Sequence, residues 1–256
     1  MQNSKTGRNT DIIKRGFVIA IWLLVWQLAT SLVHNEILFV GPVQTLQALI
    51  KLAGTGAFWG AVFSSCGRIL TGFLIGALVG ALLAVLSFQS RAIQAFTAPF
   101  VHLCKTVPVA CFVVILLIMA GTSYTALIVS GIVVLPVLYN GVYSGLKSSD
   151  KEELEIADMF TMTHTDRMKH IFLPALYPFL LSALKLACGV AFKAGIAAEV
   201  IAQTYGSLGN SLYKAKVLLQ TDALFAITIV VVLLSLFTEK AVVFLFRKWG
   251  KHNEYE

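Results

Sequence analysis

Long apolar stretches alternate with short polar ones along the 256-residue chain, and this pattern predicts a bundle of membrane-spanning helices. A bilayer core about 30 Å thick needs about 20 apolar residues of helix to cross it. Spans of this kind are expected near residues 17–33, 69–88, 92–120, 124–146, 171–198 and 223–246. The first follows basic residues as a signal peptide would, but no persuasive cleavage site comes after it. We therefore predict an uncleaved first span.

Two polar stretches between these spans are predicted to be external loops. Residues 37–56 are mildly apolar and contain Pro42, which is typical of a loop with a short helix. Residues 201–222 form a mixed, glycine-containing loop. Within the second span, Gly72, Gly76 and Gly80 fall at a spacing of four, so one face of this helix is nearly smooth. Such faces let membrane helices approach one another closely.

Composition agrees with an all-α, polytopic membrane protein of about six transmembrane helices. Hydrophobic residues make up 57% of the chain and charged residues only 13%, against about 25% charged residues in a soluble domain. The net charge of +7 is dispersed along the chain, which argues against nucleic acid as a partner. Basic residues concentrate on one side of the predicted bundle, so both termini are predicted to be cytoplasmic. The four cysteines and five histidines show no metal-ligand or disulfide spacing.

One dense group of charges, residues 147–170, interrupts the apolar pattern and is called the charged loop below. It holds six of the 13 acidic residues, and it must lie in water. A helix is predicted to start after Asp150. Within it Ile156, Met159 and Phe160 form an apolar stripe at i, i+3 and i+4, with Glu155 on another face. The pattern alone fits a helix that docks on a partner and a solvated connector about equally well.

Two lysines inside the fifth span allow two interpretations. Lys185 and Lys193 are eight residues apart, about 80° around a helix, so both could line one cavity for an anion. The alternative, which we favour, is that Lys193 pairs with Glu199 or that both lysines reach toward an interface. Ionisable residues within a span are costly and are candidate functional sites by default. Arg68 is expected to pair within the bundle or to anchor an interface.

Three classes of function remain open from the residues alone. They are a subunit of an ATP-driven importer, a self-sufficient secondary transporter or channel, and an integral-membrane enzyme. No phosphate loop, nucleophile elbow or zinc motif occurs, so neither catalysis by this chain nor a cofactor is expected. A secondary carrier should place coupling-ion acids inside its spans, and only Glu199 stands out as a candidate.

The charged loop resembles the cytoplasmic signature of the permease subunits of ABC importers. That signature reads Glu-Ala-Ala, then a Gly four residues after the second Ala, then Ile-x-Leu-Pro nine residues beyond the Gly. This chain has Glu155-Ile156-Ala157, Thr161 and Ile171-Phe172-Leu173-Pro174 at the same spacing. Ile156 replaces the first Ala, and Thr161 replaces the Gly. The second departure removes the residue that most easily takes a positive φ in a helix-turn-helix.

Further matches resemble the nitrate, sulfonate and taurine branch of these permeases. Lys105-Thr106-Val107-Pro108 is similar to a basic-x-x-Pro stretch at the third span, and Gly189-Val190-Ala191-Phe192 with Ala198-Glu199 is similar to a Gly-x-Ala-Trp…Ala-Glu segment. Gly206-Ser207-Leu208-Gly209 resembles a Gly-Leu-Gly loop less closely. The resemblance covers about residues 60–250. It leaves open the solute, which could be nitrate, an alkanesulfonate, taurine, cyanate or a thiamine-precursor pyrimidine.

The resemblance implies a type I importer permease fold, with residues 1–256 as one transmembrane domain in a bacterial plasma membrane. Its expected partners are two cytoplasmic ATPase subunits, a second permease chain that is expected to be identical, an extracytoplasmic solute-binding protein and the lipid bilayer. The charged loop would be the coupling site on the ATPase. We expect Ile156, Met159 and Phe160 to anchor this helix in a groove while Glu155 orients it. The residues assigned to the coupling site are Glu155, Ile156, Ala157, Met159, Phe160, Thr161, Ile171, Leu173 and Pro174. Lys185, Lys193 and Glu199 are the candidates for the translocation path.

Overall fold

The computed structural model describes residues 4–33, 39–149 and 151–253, and nearly all of them are helical. In chain order the helices are α1 (Ser4–Val33), α2 (Pro42–Ala53), α3 (Gly56–Gln89), α4 (Arg91–Thr106), α5 (Val109–Lys147), α6 (Lys151–Met159), α7 (His164–Arg167), a π-helical turn (Met168–Phe172), α8 (Leu173–Ala202), α9 (Leu208–Val217) and α10 (Thr221–Asn253). Asp150, after which the charged loop was predicted to start its helix, lies outside the described residues.

Four helical stretches are long and apolar enough to cross a bilayer: residues 56–89, 109–147, 165–202 and 221–248. A shorter apolar stretch, Gly16–Leu32, coincides with the predicted first span. The remaining predicted span, residues 92–120, is built from two shorter helical pieces, α4 and the first part of α5. The chain is therefore compatible with six crossings. Within the described residues, four of these crossings are single helices long and apolar enough to span a bilayer.

The helix is broken at two places: the first break lies inside this composite segment, and the second ends it. Pro108 lacks a backbone N–H and disfavours helical geometry in the residue before it, and Val107 is accordingly extended at φ −72° and ψ 127°. At Gly121 the backbone turns out of the helix with φ 73° and ψ 176°, so α5 consists of two pieces, residues 109–120 and 122–147. The predicted division at Gly121 is confirmed. The prediction missed the break at Val107 and Pro108 because it treated Pro108 as part of a continuous span.

The second piece of α5 is the central helix of the bundle, and it packs between α3 and α8. Its contact with α3 uses the glycine face that the sequence predicted. A Cβ atom added to Gly72, Gly76 or Gly80 would overlap the backbone carbonyl oxygen of Leu127, Gly131 or Leu135, respectively. The two backbones therefore touch directly, which only glycine permits here. Apolar residues of α8, including Ala187 and Ala191, complete this core with Ile69 and Val134.

The loop after α8 contains more structure than the mixed loop predicted for residues 201–222. Helix α9 occupies residues 208–217, and the Ser207 hydroxyl accepts a hydrogen bond from the Asn210 N–H at its N-terminus. Leu208 is fully buried among α3 and α8 side chains. α9 is therefore folded back onto the bundle, at the end opposite the charged loop.

The glycine contact generates a prediction about stability. Gly76→Ala should destabilise the protein by about 1 to 3 kcal/mol, because its methyl group would force α3 away from Gly131. Gly67→Ala is the matched control, since Gly67 lies on the same helix with no atom within 4 Å of an added Cβ, and alanine there should be neutral or stabilising by up to about 1 kcal/mol. Thermal unfolding of the purified protein in detergent would measure both. Equal stability of the two variants would show that close α3–α5 contact is not required.

Candidate functional site

The charged loop folds into the short helix α6 followed by a tight turn. Glu152 and Glu153 lie in the first turn of α6, where negative charge suits the helix dipole. On the far side of the turn the chain enters α7, the π-helical turn and α8 as one nearly continuous helix. Ile171 is buried in this stretch, and the Phe172 ring packs edge-on against Phe88 with 5.6 Å between ring centroids. The loop is thus anchored to the bundle on its C-terminal side.

Thr161 terminates α6 in the left-handed region, with φ 49°. The Thr161 N–H donates to the Asp158 carbonyl at 3.1 Å and the Met162 N–H to the Ala157 carbonyl at 3.0 Å, which together form a Schellman motif. Glycine is the usual residue at this position because any Cβ costs roughly 1 to 2 kcal/mol. The sequence left the shape of this turn open; in the structure the threonine adopts the positive φ that a glycine would take more easily, and it bears the strain.

Arg167 ties the end of α6 to the helix that follows. Its guanidinium lies 2.6 Å from the Asp158 carboxylate, and its Nε donates to the Met162 carbonyl at 3.2 Å. Thr163 caps the same helix, since its hydroxyl accepts from the Asp166 N–H and donates to the Asp166 carboxylate. The two helices on either side of the turn are therefore held at a defined angle by side chains as well as by the backbone.

The predicted coupling residues divide between a buried and an exposed face of α6. Ala157 is fully buried, whereas Ile156, Met159 and Phe160 expose 53%, 83% and 76% of their surface. At 100° per residue, Glu155 and Met159 lie almost opposite Ala157, and Glu155 is exposed too. Ala157, at the position of the second alanine of the signature, is thus the residue of α6 that packs against the protein. Ile156, at the first alanine position, is tolerated because its side chain points away from the protein.

The candidate path residues lie on α8 but not in one environment. Lys193 is exposed, and Lys185 is half-buried. Exposed residues recur along one side of this helix at spacings of four, seven and four: Ser182, Leu186, Lys193 and Ala197. Neither lysine forms an ion pair with any residue that the structure describes.

Glu199, the third candidate, is completely buried in a polar network. Its carboxylate lies 3.0 Å from the Arg68 guanidinium and accepts hydrogen bonds from the Ser65 hydroxyl at 2.6 Å and the Gly209 N–H at 3.1 Å. The Ser65 hydroxyl in turn accepts from the Leu208 N–H at 2.9 Å. One carboxylate therefore joins α3, α8 and the start of α9. The favoured pairing of Lys193 with Glu199 is wrong, because Arg68 occupies that position.

The sequence reading missed several polar residues that the structure makes prominent. The prediction that Arg68 pairs within the bundle is confirmed, although its partner Glu199 was not predicted, and Arg167 was not assigned to the turn. The sequence reading also overlooked Glu239, a half-buried acid of α10 inside the predicted sixth span, so Glu199 is not the only acid there. Arg68 and Glu239 could have been noticed as charges within apolar stretches. Among the described residues, no three His, Cys, Asp or Glu side chains gather into a metal site.

Comparison with protein families and relatives matches most of the chain. The model of a family described as "binding-protein-dependent transport system inner membrane component" matches residues 72–251. One similar protein is the putative aliphatic sulfonates transport permease protein SsuC of Bacillus subtilis (strain 168), 26% identical over 98% of this chain and 92% of that protein. Another is the taurine transport system permease protein TauC of Escherichia coli (strain K12), 24% identical over 87% of this chain and 82% of TauC.

Two solved transporter structures have a fold similar to that of this chain. An amino acid ABC transporter crystallised with histidines aligns over 82% of this chain and 96% of its own, with a TM-score of 0.57 and 16% identity. The MetNI methionine ABC transporter in an inward-facing conformation aligns over 73% and 93%, with a TM-score of 0.50 and 20% identity. At these identities the likeness concerns the fold alone.

The strained turn generates a prediction about local stability. Thr161→Gly should stabilise the α6–α7 turn by about 1 kcal/mol, because it removes the Cβ from a left-handed residue. Thr163→Ala, two residues away, should destabilise the same loop by about 1 kcal/mol through loss of the helix cap. Hydrogen exchange of the turn amides, followed by mass spectrometry, should slow in the first variant and accelerate in the second. Unchanged or faster exchange in Thr161→Gly would contradict the strain argument.

Proposed function

The chain belongs to the family of binding-protein-dependent transport system inner membrane components, and on this premise we propose that the charged loop couples it to a cytoplasmic ATPase. The protein is the membrane-spanning permease subunit of an ATP-driven importer, a transport subunit in which catalysis is not the role of this chain. The proposal concerns how it connects to its partners and what it carries. The proposal is supported by the exposed apolar face of α6, which belongs to a loop whose other end is anchored to the bundle.

The exposed face of α6 has the properties of a helix that docks in a groove. Ile156, Met159 and Phe160 present apolar surface to water, which is unfavourable unless a partner covers it. Glu155 lies beside Met159 and would set the helix's orientation through its charge. A short amphipathic helix with a few such anchors is a recurrent recognition mode. In this arrangement the ATPase hydrolyses ATP, and the permease receives the resulting motion.

The path for that motion runs through the turn into α8. Arg167 contacts both Asp158 and the Met162 carbonyl, so displacement of α6 pulls on the residues that begin the α7–α8 stretch. Ile171 and Leu173 bring this stretch to the bundle, and Pro174 lies at the start of α8. Closure of the ATPase dimer would therefore tilt α8, and with it the central helix α5 that packs against it. Rocking of packed elements of this kind underlies alternating access.

The assembly we propose contains two copies of this chain, two ATPase subunits and one extracytoplasmic solute-binding protein. Residues 1–256 would act as a single permease domain in a bacterial plasma membrane. Both termini and the charged loop would face the cytoplasm, in keeping with the concentration of basic residues on that side of the bundle. The α9 region would then face outward, toward the binding protein.

The solute is proposed to be a small anion. SsuC is named for aliphatic sulfonates and TauC for taurine, both of which carry a sulfonate group. The exposed Lys193 and the half-buried Lys185 would supply positive charge along the α8 side of the path. Glu199, locked to Arg68 and Ser65, would hold the wall of the path in shape without contacting the solute. Nitrate, cyanate and thiamine-precursor pyrimidines remain candidates to be compared.

The coupling proposal predicts a position-specific loss of activity. Glu155→Lys in the complex reconstituted with ATPase and binding protein should reduce both transport and binding-protein-stimulated ATP hydrolysis at least about tenfold, the effect of about 1.4 kcal/mol of lost docking energy. Glu153→Lys is the charge-matched control on the same helix, about 40° from the buried Ala157, and it should retain most activity. Full transport with normal stimulation in Glu155→Lys would overturn the proposal.

The path proposal predicts a charge-dependent loss of uptake. Lys193→Met and Lys185→Met should lower the maximal uptake rate of an alkanesulfonate while binding to the isolated binding protein is unchanged. Lys193→Arg should retain uptake, because it keeps the charge. Uptake assays of ethanesulfonate, taurine, nitrate and a hydroxymethylpyrimidine would compare the solute classes. If Lys193→Met and Lys185→Met leave uptake of the wild-type solute unchanged, these lysines do not line the path.

A further inference from the structure

The break between α4 and α5 lies at the middle of a membrane segment and is exposed. Thr106, Pro108, Ala110 and Cys111 around it are all exposed, and Lys105 is exposed immediately before it. The helical hydrogen bonds of α4 end with the Val107 N–H, which donates to the Leu103 carbonyl, and Pro108 has no N–H to continue them. The Cys111 N–H donates to the Pro108 carbonyl in the first turn of α5.

Packing fixes the depth of this break within the bundle. Val101 of α4 packs with Leu135 and Tyr139 in one cluster. Beyond the break, Val113 packs with Ala194, and Val109 and Val190 join the same second cluster. Lys105 therefore lies between these two levels, near the midpoint of residues 91–120. Lys193 precedes Ala194 of the second cluster, so it lies at that level, closer than Lys105 to the α9 end of the bundle.

An exposed break at this depth cannot face lipid. Unsatisfied backbone groups cost several kcal/mol in hydrocarbon, and non-helical backbone at membrane depth occurs only where it is buried in protein or lines a water-filled cavity. Intramembrane lysines obey the same restriction. At the midplane either bilayer interface is about 15 Å away, farther than a lysine side chain extends. Lys105 also has no ion-pair partner among the residues that the structure describes.

We propose that the α4–α5 break lines the aqueous translocation path and that Lys105 makes this part of the path a mid-membrane binding site for small anions. The inference rests on the proposed function. It adds the α4–α5 break to the α8 side of the path and identifies this break as the place where the solute binds transiently. A cationic side chain without an ion-pair partner among the described residues attracts an anion more strongly here than at the surface, because the surrounding protein screens charge less than water does. The buried carboxylate of Glu199 does not offset this charge, since Arg68 already neutralises it.

Cys111, exposed in the first turn after the break, provides a native reporter that needs no knowledge of the solute. The reconstituted complex is treated from both sides with anionic sulfonatoethyl methanethiosulfonate or cationic trimethylammonioethyl methanethiosulfonate, and labelling of Cys111 is read by peptide mass mapping. Because both reagents attack the same thiolate, the ratio of their rates reports the local potential. We expect the anionic reagent to react faster, and the ratio to fall roughly threefold or more in Lys105→Gln.

Two controls make the outcome specific. Lys105→Arg should preserve the ratio, and Lys51→Gln, at an exposed lysine of α2, should leave it unchanged. Failure of both charged reagents to label Cys111, while membrane-permeant N-ethylmaleimide does so, would overturn the inference. So would a ratio that does not respond to Lys105→Gln.

ATP hydrolysis stimulated by the binding protein is measured on the same preparations, so that the two proposals fail separately. Normal stimulation together with no anion preference at Cys111 would overturn this inference alone. Absent stimulation in the wild-type complex would overturn the proposed coupling on which the inference depends. Normal stimulation with an anion preference that depends on Lys105 would support both.

Discussion

Direct backbone contact between α3 and α5 is the constraint on which the remaining architecture depends. Since Gly72, Gly76 and Gly80 meet carbonyl oxygens of α5, the central helix is fixed in both distance and register against α3. Its other face is then available to α8, and the buried side chains of all three helices form one core. In a bilayer, where apolar surface gains little by leaving lipid, close packing of this kind supplies much of the association energy.

A second constraint is the satisfaction of charge inside this apolar bundle. The Glu199 carboxylate is shared among Arg68, Ser65 and the N–H of Gly209. Breaking such a pair leaves an uncompensated charge, which typically costs about 3 to 5 kcal/mol when both partners are buried, and somewhat less here because Arg68 is partly exposed. The network therefore defines where α9 must lie. By contrast, Lys105 and Lys193, which have no ion-pair partner among the described residues, are exposed, so water or a solute can meet their charge.

Much of this could be predicted from the sequence, because its signals are local. The smooth glycine face, the division at Gly121 and the helix of the charged loop all follow from short-range periodicity or backbone preference. The partner of Glu199 could not be predicted, since Arg68 is 131 residues away and only the fold brings the two together. The break at Val107 was missed for a different reason: Pro108 was treated as part of a continuous span, although proline disfavours helical geometry in the residue before it. Thr161 shows that tertiary contacts, here Arg167 with Asp158, can hold a residue in a conformation its own preference disfavours.

The break between α4 and α5 also has a mechanical consequence. Residues on its two sides pack at two levels of one continuous helix, the second piece of α5: Val101 lies in the cluster with Leu135 and Tyr139, and Val113 lies in the cluster with Val129 and Ala194. The unbroken stretch 122–147 keeps these two levels at a fixed spacing. The break at Val107 lets α4 change its angle to residues 109–120, so one end of this segment can tilt while the other stays packed on α5.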